Sequence, residues 1–334
     1  MKKHFTIPIF VPELACPHRC IFCNQNYITS REHVPGMAEA RNIIEDHLIT
    51  LPKDAEIDIG YLGGNFTGIP AHQQEDFLEL AREYKNAGSV QGIRVSTRPD
   101  YIDERVLNRL ENFGVTTIEL GAQSMDEEVL RKAGRGHRVK DTDDASKMIV
   151  DRGFNLGLQM MIGLPEDDDE KSLHTARRIV ELGANSTRIY PTLVVKNTPL
   201  EEMWRNGKYH PLSMEQAIGR TKKLIPIFEE GGVKIIRVGL HPSEGFLDGS
   251  QLLAGPFHQS FKELVMTEVW NDRFRNFQWN KNQNQVNLYV NPGEFNAAVG
   301  YQAKNKKMLL EKFQKVKFIR NVSVAKGRFY ADYC

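Results

Sequence analysis

Short β-rich runs alternate with stretches of helical spacing along most of this sequence, and that alternation restricts the fold more than any other feature. Segments 5–11, 56–61, 93–96, 116–120, 155–162, 188–195 and 234–238 read as strands. Segments 37–49, 74–84, 104–113, 141–152, 171–182 and 214–230 carry apolar residues at helical spacing. Strands and helices in strict turn imply βαβ units and a parallel sheet, an α/β fold. Seven strands are too few to close an eight-fold barrel, so a partial barrel is expected. In such folds chemistry collects at the carboxyl ends of the strands. The polar residues fall there: after Tyr61, at Ser96, at 119–123, at Gln159 and around Tyr190.

The pattern changes near residue 245. Segment 263–279 reads as a helix, 286–289 as a strand, 304–313 as a helix and 317–322 as a strand, which predicts a small α+β appendage. From 303 to 334 there are nine basic and two acidic residues, a surplus of +7. The whole chain carries +1, so the remainder carries −6. The protein as a whole is therefore not a generic polyanion binder, but its tail is basic. The amino-terminal apolar run is broken at Pro8 and Pro12, and no stretch approaches about 20 uninterrupted apolar residues. A cytoplasmic protein with no membrane partner is expected.

Three of the four cysteines lie within eight residues: Cys16, Cys20 and Cys23, spaced C-x3-C-x2-C. A disulfide scaffold would spread them along a secreted chain, so the clustering argues for metal. Three thiolates on a short loop can hold three corners of a four-iron cube and leave one iron open. Zinc would need a fourth ligand, for which His18 is available, or a water. The acidic run 166–170 reads as a solvated helix start, because acids favour the positive end of the helix dipole. Cys334, the fourth cysteine, reads as a free thiol on a terminal segment.

The motif, with Phe22 before its last cysteine, resembles the signature of radical S-adenosylmethionine (SAM) enzymes. The resemblance implies a partial (β/α)6-type TIM barrel over 1–245, followed by a small C-terminal α+β subdomain over 246–334. It implies a [4Fe-4S] cluster on Cys16, Cys20 and Cys23, with SAM chelating the open iron and Phe22 near the adenine. The glycine pair Gly63-Gly64, followed by Asn65-Phe66-Thr67-Gly68, matches the stretch that meets the methionine amino group. Asn65 stands where an acid is frequent. Ser96 matches a polar SAM contact, Gln123 a contact to the methionine end or ribose, and Arg135 an arginine for the SAM carboxylate. Gln159 matches a ribose contact that is often Asp, and Met161 would offer backbone to adenine.

Beyond the core, residues 95–102, 118–124, 134–137, 188–191, 237–242 and 253–258 resemble the Elongator catalytic-subunit branch, and more distantly the coproporphyrinogen III oxidase-like branch. The implied reaction is reductive cleavage of SAM into methionine and a 5′-deoxyadenosyl radical, which abstracts hydrogen from substrate. An electron donor such as flavodoxin or ferredoxin is implied with it. Members of the Elongator group that carry an acetyltransferase domain modify the wobble uridine of tRNA. This chain has no space for that domain after the core, so acetyl transfer is not expected. RNA, and tRNA in particular, is the expected substrate, bound through the basic 303–328 segment, where 299–307 reads as a glycine turn feeding a basic helix. The other readings are radical chemistry on a tetrapyrrole or lipid precursor, and a cluster or haem carrier that binds SAM without turnover. Arg188, Tyr190, Lys196, Arg237 and His241 are the candidates to face substrate, although Tyr190 and Arg237 can also pair within the barrel wall.

Overall fold

The computed structural model describes residues 3–11, 16, 20–24, 34–240, 243–280 and 282–333. His18, His241 and Cys334 lie outside these residues. Two compact units divide the chain: Met1–Ser213 with Ile227–Phe257, and Met214–Pro226 with His258–Cys334.

The first unit is built on a seven-stranded parallel sheet. Its strands are β1 (His4–Val11), β2 (Glu56–Gly63), β3 (Gly92–Thr97), β4 (Thr117–Gln123), β5 (Asn155–Ile162), β6 (Ser186–Pro191) and β8 (Lys234–Val238), in that spatial order. Each strand is laid beside its predecessor after a helical crossover, so the sheet curls in one direction into a half-barrel. Its crossover helices are Met37–Thr50, Ala71–Asn86, Glu104–Asn112, Val139–Asp151 and Asp169–Glu181, and a further helix, Met214–Glu230, is divided between the two units. The last contains Pro226, after which the chain returns to the first unit.

Alternation along the strands sorts the residues. Ile7, Ile9, Ile59, Tyr61, Ile93, Val95, Ile118, Leu120, Leu156 and Leu158 are all at 0–1% exposure. They form the apolar layer under the helices, where Tyr61 packs against Phe77 with ring centroids 5.5 Å apart. The residues between them, Pro8, Gly60, Arg94, Glu119 and Gly157, line the inner face, where Gly157 leaves room for the charged side chain of Glu119. Two of the helix starts are fixed by side-chain caps that satisfy otherwise unpaired N–H groups. Asp103 accepts from Val106 N at 2.8 Å, and Asp168 from Lys171 N at 2.8 Å. The acidic run 166–170 is thus the start of the helix Asp169–Glu181.

One expected strand, 188–195, is two. It leaves the large sheet at Pro191, and β7 (Val194–Val195) then pairs antiparallel with β9 (Leu252–Ala254). A proline has no N–H for the ladder, which accounts for the break. Two further helices, Glu127–Lys132 and Pro199–Arg205, occupy stretches with no expected element.

The second unit is a two-layer α+β structure. β10 (Gln285–Val290) is central, parallel to β11 (Lys315–Arg320) and antiparallel to β12 (Phe329–Tyr333). Trp270, Phe274, Val286, Leu288, Val290, Ala298 and Leu309 form its core with the helices Phe261–Arg275, Phe295–Val299 and Lys304–Leu310. The glycine turn before the basic helix is committed to this packing. Gly300 has φ 87°, which suits a residue without Cβ. Tyr301 N donates to Thr267 Oγ1 at 2.8 Å, Asn305 is fully buried, and Lys304 pairs with Glu268 at 2.5 Å. Those donors serve the fold.

Candidate active site

The cysteine loop is strapped to its surroundings by backbone hydrogen bonds. Cys23 N donates to Cys20 O at 3.0 Å, Ile21 N to Ala133 O at 3.1 Å, and Leu200 N to Ile21 O at 2.8 Å. The two short helices named above therefore hold the loop from either side. Cys20 is 5% exposed, and Cys16 and Cys23 are half-buried. Phe22, the residue before Cys23, and Tyr190 both pack against the buried cluster of Val129, Ala133, Met161 and Leu164, an apolar patch.

Arg135 ties this loop to the strand ends. It is 7% exposed and lies in the segment between the helices Glu127–Lys132 and Val139–Asp151. Its Nη1 donates to Cys20 Sγ at 3.1 Å and its Nη2 to Gly121 O at 2.6 Å. A Cβ on Gly121 would stand 2.9 Å from Gln123 Nε2 and 3.3 Å from Arg135 Nη2, so only glycine lets both side chains lie over this strand. Gln123 has φ 63° and follows a register shift between β4 and β5. Bulges of this kind re-aim a side chain at a functional rim. Here Gln123 Oε1 meets Gln159 Nε2 at 3.3 Å.

The glycine motif follows β2. Gly63 has φ 101°, and Gly64 N donates to Val11 O at 2.9 Å. Asn65, 1% exposed, accepts from Thr97 Oγ1 at 2.6 Å and from Arg98 N at 3.3 Å, so its side chain joins this loop to the end of β3. Ser96 is half-buried on β3, in register with Glu119. Lys196 is exposed; its Nζ donates to Ser250 O at 3.2 Å, and its carbonyl accepts from Asn24 Nδ2, next to Cys23, at 3.3 Å. The structure therefore links Cys20 to Gly121 through Arg135 and Gln123 to Gln159 by a hydrogen bond, with Arg135 and Gln123 both beside Gly121, and it gathers Phe22 and Tyr190 on the cluster that contains Met161.

Two features here go beyond the sequence reading: Arg98, and the pairing that draws Arg188, a candidate to face substrate, into the wall. Arg98, 3% exposed, donates to both oxygens of Asp100 at 2.9 and 2.8 Å and to Arg135 O at 2.7 Å. Burial works against its charge, but Asp100 and the nearby Cys20 and Cys16 hold its pKa above the ordinary value. The second is a belt of ion pairs across the inner face. Asp58 on β2 takes His4 Nε2 at 2.9 Å and Arg94 at 3.2 Å; Arg94 reaches Glu119 at 2.5 Å; Arg188 reaches Glu119 at 2.8 and 3.1 Å. Gly157 on β5 makes room, because a Cβ there would stand 2.8 Å from Glu119 Cγ. Burial alone would raise the Glu119 pKa; the charges and hydrogen bonds of Arg188 and Arg94 outweigh it and hold the carboxyl below its usual range. Burial raises the Tyr190 pKa, opposed by Arg188 and Arg237, so these three sit together on the wall next to the belt.

The donor set suits a thiolate-held cluster with an anionic ligand. Arg98 Nη1 and Arg135 Nε are buried donors with no hydrogen-bond partner, on side chains that lie beside Cys20, with Cys16 near Arg98. Two buried cations offset thiolate charge, and idle N–H groups suit a carboxylate acceptor. Among the described residues no three His, Cys, Asp or Glu side chains are gathered to hold a single metal ion. No helix among them is long and apolar enough to cross a membrane.

The curled parallel sheet, the cysteine loop at its mouth and the glycine motif define a class, and the chain belongs to the radical SAM superfamily, a class of enzymes. Residues 13–179 match the radical SAM superfamily and 184–271 the Radical_SAM C-terminal domain. Among relatives, the tRNA uridine(34) acetyltransferase of Dehalococcoides mccartyi (strain CBDB1) is 28% identical over 272 residues, 70% of this chain and 58% of that one. An uncharacterized protein of Methanocaldococcus jannaschii is 31% identical over 228 residues, 65% of this chain and 70% of its own length. The chain spans about half the length of the acetyltransferase relatives it matches. The solved structure of archaeal Methanocaldococcus infernus Elp3 shares the fold, with TM-score 0.66 and 22% identity over 82% of this chain and 64% of that one.

Proposed function

We propose that the protein is a radical SAM enzyme that modifies RNA, with tRNA as the substrate, and that it works in the cytoplasm. In this reading Cys16, Cys20 and Cys23 would hold a [4Fe-4S] cluster, Gly63, Gly64, Gln123 and Gln159 would hold SAM, and Phe22 and Met161 would meet its adenine. The observation that carries the reading is Arg135, buried between Cys20 Sγ and the Gly121 carbonyl, which links the cysteine loop to the strand ends. When bound, cluster and SAM supply a carbon-centred radical able to abstract hydrogen, given one electron from a donor such as flavodoxin or ferredoxin. The chain's own residues orient and shield. The apolar patch around Phe22 excludes water, Arg98 and Arg135 balance the thiolates, and Gln123 and Gln159 offer neutral hydrogen bonds to hydroxyl groups. Support for tRNA comes from the relatives' names and from the basic 303–334 segment.

Anaerobic incubation of the reconstituted protein with dithionite and SAM should yield 5′-deoxyadenosine, and the Cys16→Ala/Cys20→Ala/Cys23→Ala variant should lose both this product and the iron–sulfur absorbance. No 5′-deoxyadenosine above background would refute the enzymatic part. Nucleoside profiling of tRNA and rRNA from a strain lacking the protein tests the substrate: a missing tRNA modification is expected, and an unchanged profile would overturn it.

A further inference from the structure

The helices of the second unit cover one face of its three-stranded sheet, through Val286, Leu288, Val290 and Val316. The opposite face is set by register. Tyr289 stands directly across from Tyr330, and Asn287 lies between Lys317 on one side and Asp332 on the other. Lys315 continues the row opposite Gln285. The two tyrosine rings are neighbours, with centroids 5.9 Å apart at 43°. Tyr330 is 61% exposed, and Lys315 and Lys317 are exposed. Adjacent aromatic rings on an open sheet, beside a lysine row on the next strand, supply stacking surfaces and phosphate contacts in one plane.

We infer that this face binds unpaired nucleotides of RNA, with bases stacked on Tyr289 and Tyr330 and the phosphate backbone running along Lys315 and Lys317. The inference rests on the RNA substrate proposed above and names where a single strand is held. Sheet aromatics and nearby cations are a general means of holding single strands without reading sequence. Charge complementarity selects this occupant. The 303–334 segment carries a surplus of +7, whereas the centres of protein interfaces are depleted in lysine. Asp332 is the single acid at these register positions, and it stands on the strand opposite the lysines. The glycine turn at 300–303 is a weaker place for phosphate, because Tyr301 N and Lys304 are already engaged by Thr267 and Glu268.

The test is fluorescence anisotropy of the full chain with labelled oligouridine and with total tRNA. Tyr330→Ala should weaken oligouridine binding about 5- to 150-fold, the range for loss of one stacked base. Tyr330→Phe should bind like the wild type. Lys315→Gln/Lys317→Gln should lower the slope of log affinity against log salt by about 0.7 for each phosphate that is no longer neutralised. Tyr330 is largely exposed, so its replacement spares the core, and thermal melting of each variant checks this. If the wild type binds neither RNA, the substrate reading and this one both fall. If the wild type binds but Tyr330→Ala and the lysine variant bind equally well with the same salt slope, the sheet face alone is overturned. RNA binding left intact while the variants turn a dimer into a monomer would assign the face to a second copy of the chain, and would also overturn it.

Discussion

Replacing Glu119 by Ala tests whether the ion-pair belt holds the half-barrel wall together. Glu119 is 5% exposed and accepts one hydrogen bond from Arg94 and two from Arg188. The variant leaves Arg188 without the carboxylate and Arg94 with Asp58 alone. Removing one partner of a buried pair costs about 3–5 kcal/mol, because the remaining charge stays desolvated. At about 2 °C per kcal/mol for a unit of this size, the melting temperature at pH 7 should fall by roughly 6–10 °C. The pH dependence has a definite sign. The folded carboxyl lies below its ordinary value of 4.5, so its contribution is complete above that value and is lost as pH falls through the folded pKa. The gap between wild type and variant should therefore be full at pH 7 and narrow under acid. Glu119→Ala/Arg188→Met should recover part of the loss, since removing both partners is far less costly than removing one. Thermal unfolding followed by circular dichroism reads all three. A single variant melting within about 2 °C of wild type at pH 7 would refute the reasoning.

Two other outcomes follow from the same wall and mouth. Gly157→Ala should destabilise by about 1–3 kcal/mol, seen as a lower urea midpoint with unchanged m-value, because the new methyl stands 2.8 Å from Glu119 Cγ. His137 is 4% exposed; burial, together with the Arg135 charge, pushes its pKa down to about 3. It must be neutral in the fold, so metal-free protein should lose up to about 1.4 kcal/mol per pH unit as pH drops from 6.5 toward 3, and His137→Gln should flatten that slope in urea titrations at stepped pH.

The strands of the large sheet were legible because parallel strands buried on both sides make continuous apolar or alternating runs bounded by turns. The helices Glu127–Lys132 and Pro199–Arg205 were not, since six or seven residues are too few to show a period. Their caps were nevertheless present in the sequence: Asp126 accepts from Val129 N, and Thr198 precedes a proline at the first helical position. The bulge before Gln123 left no mark in composition, so its left-handed backbone and its meeting with Gln159 needed coordinates. Arg98 was visible only as a residue before a proline. The belt was partly legible, through Arg188 and the 119–123 strand end, but its pairing was not. Asp58, Arg94, Glu119 and Arg188 are charged residues inside strands of the expected parallel sheet, and buried charges must be paired. Which partner each would choose depends on Gly157, whose missing side chain lets a carboxylate on β4 reach past β5 to β6.

That belt also separates two responses to ionic strength. Counterions reach exposed pairs such as Arg41–Glu83 and Lys140–Asp144, whose side chains are 46–76% accessible, and they reach the lysines of the open sheet face in the same way. They do not enter between Arg94 and Glu119, where both side chains are under 10% accessible. Added salt should thus dissolve a polyanion from the surface long before it loosens the wall, so a salt titration of this protein reports on what is bound outside it while the architecture stays fixed.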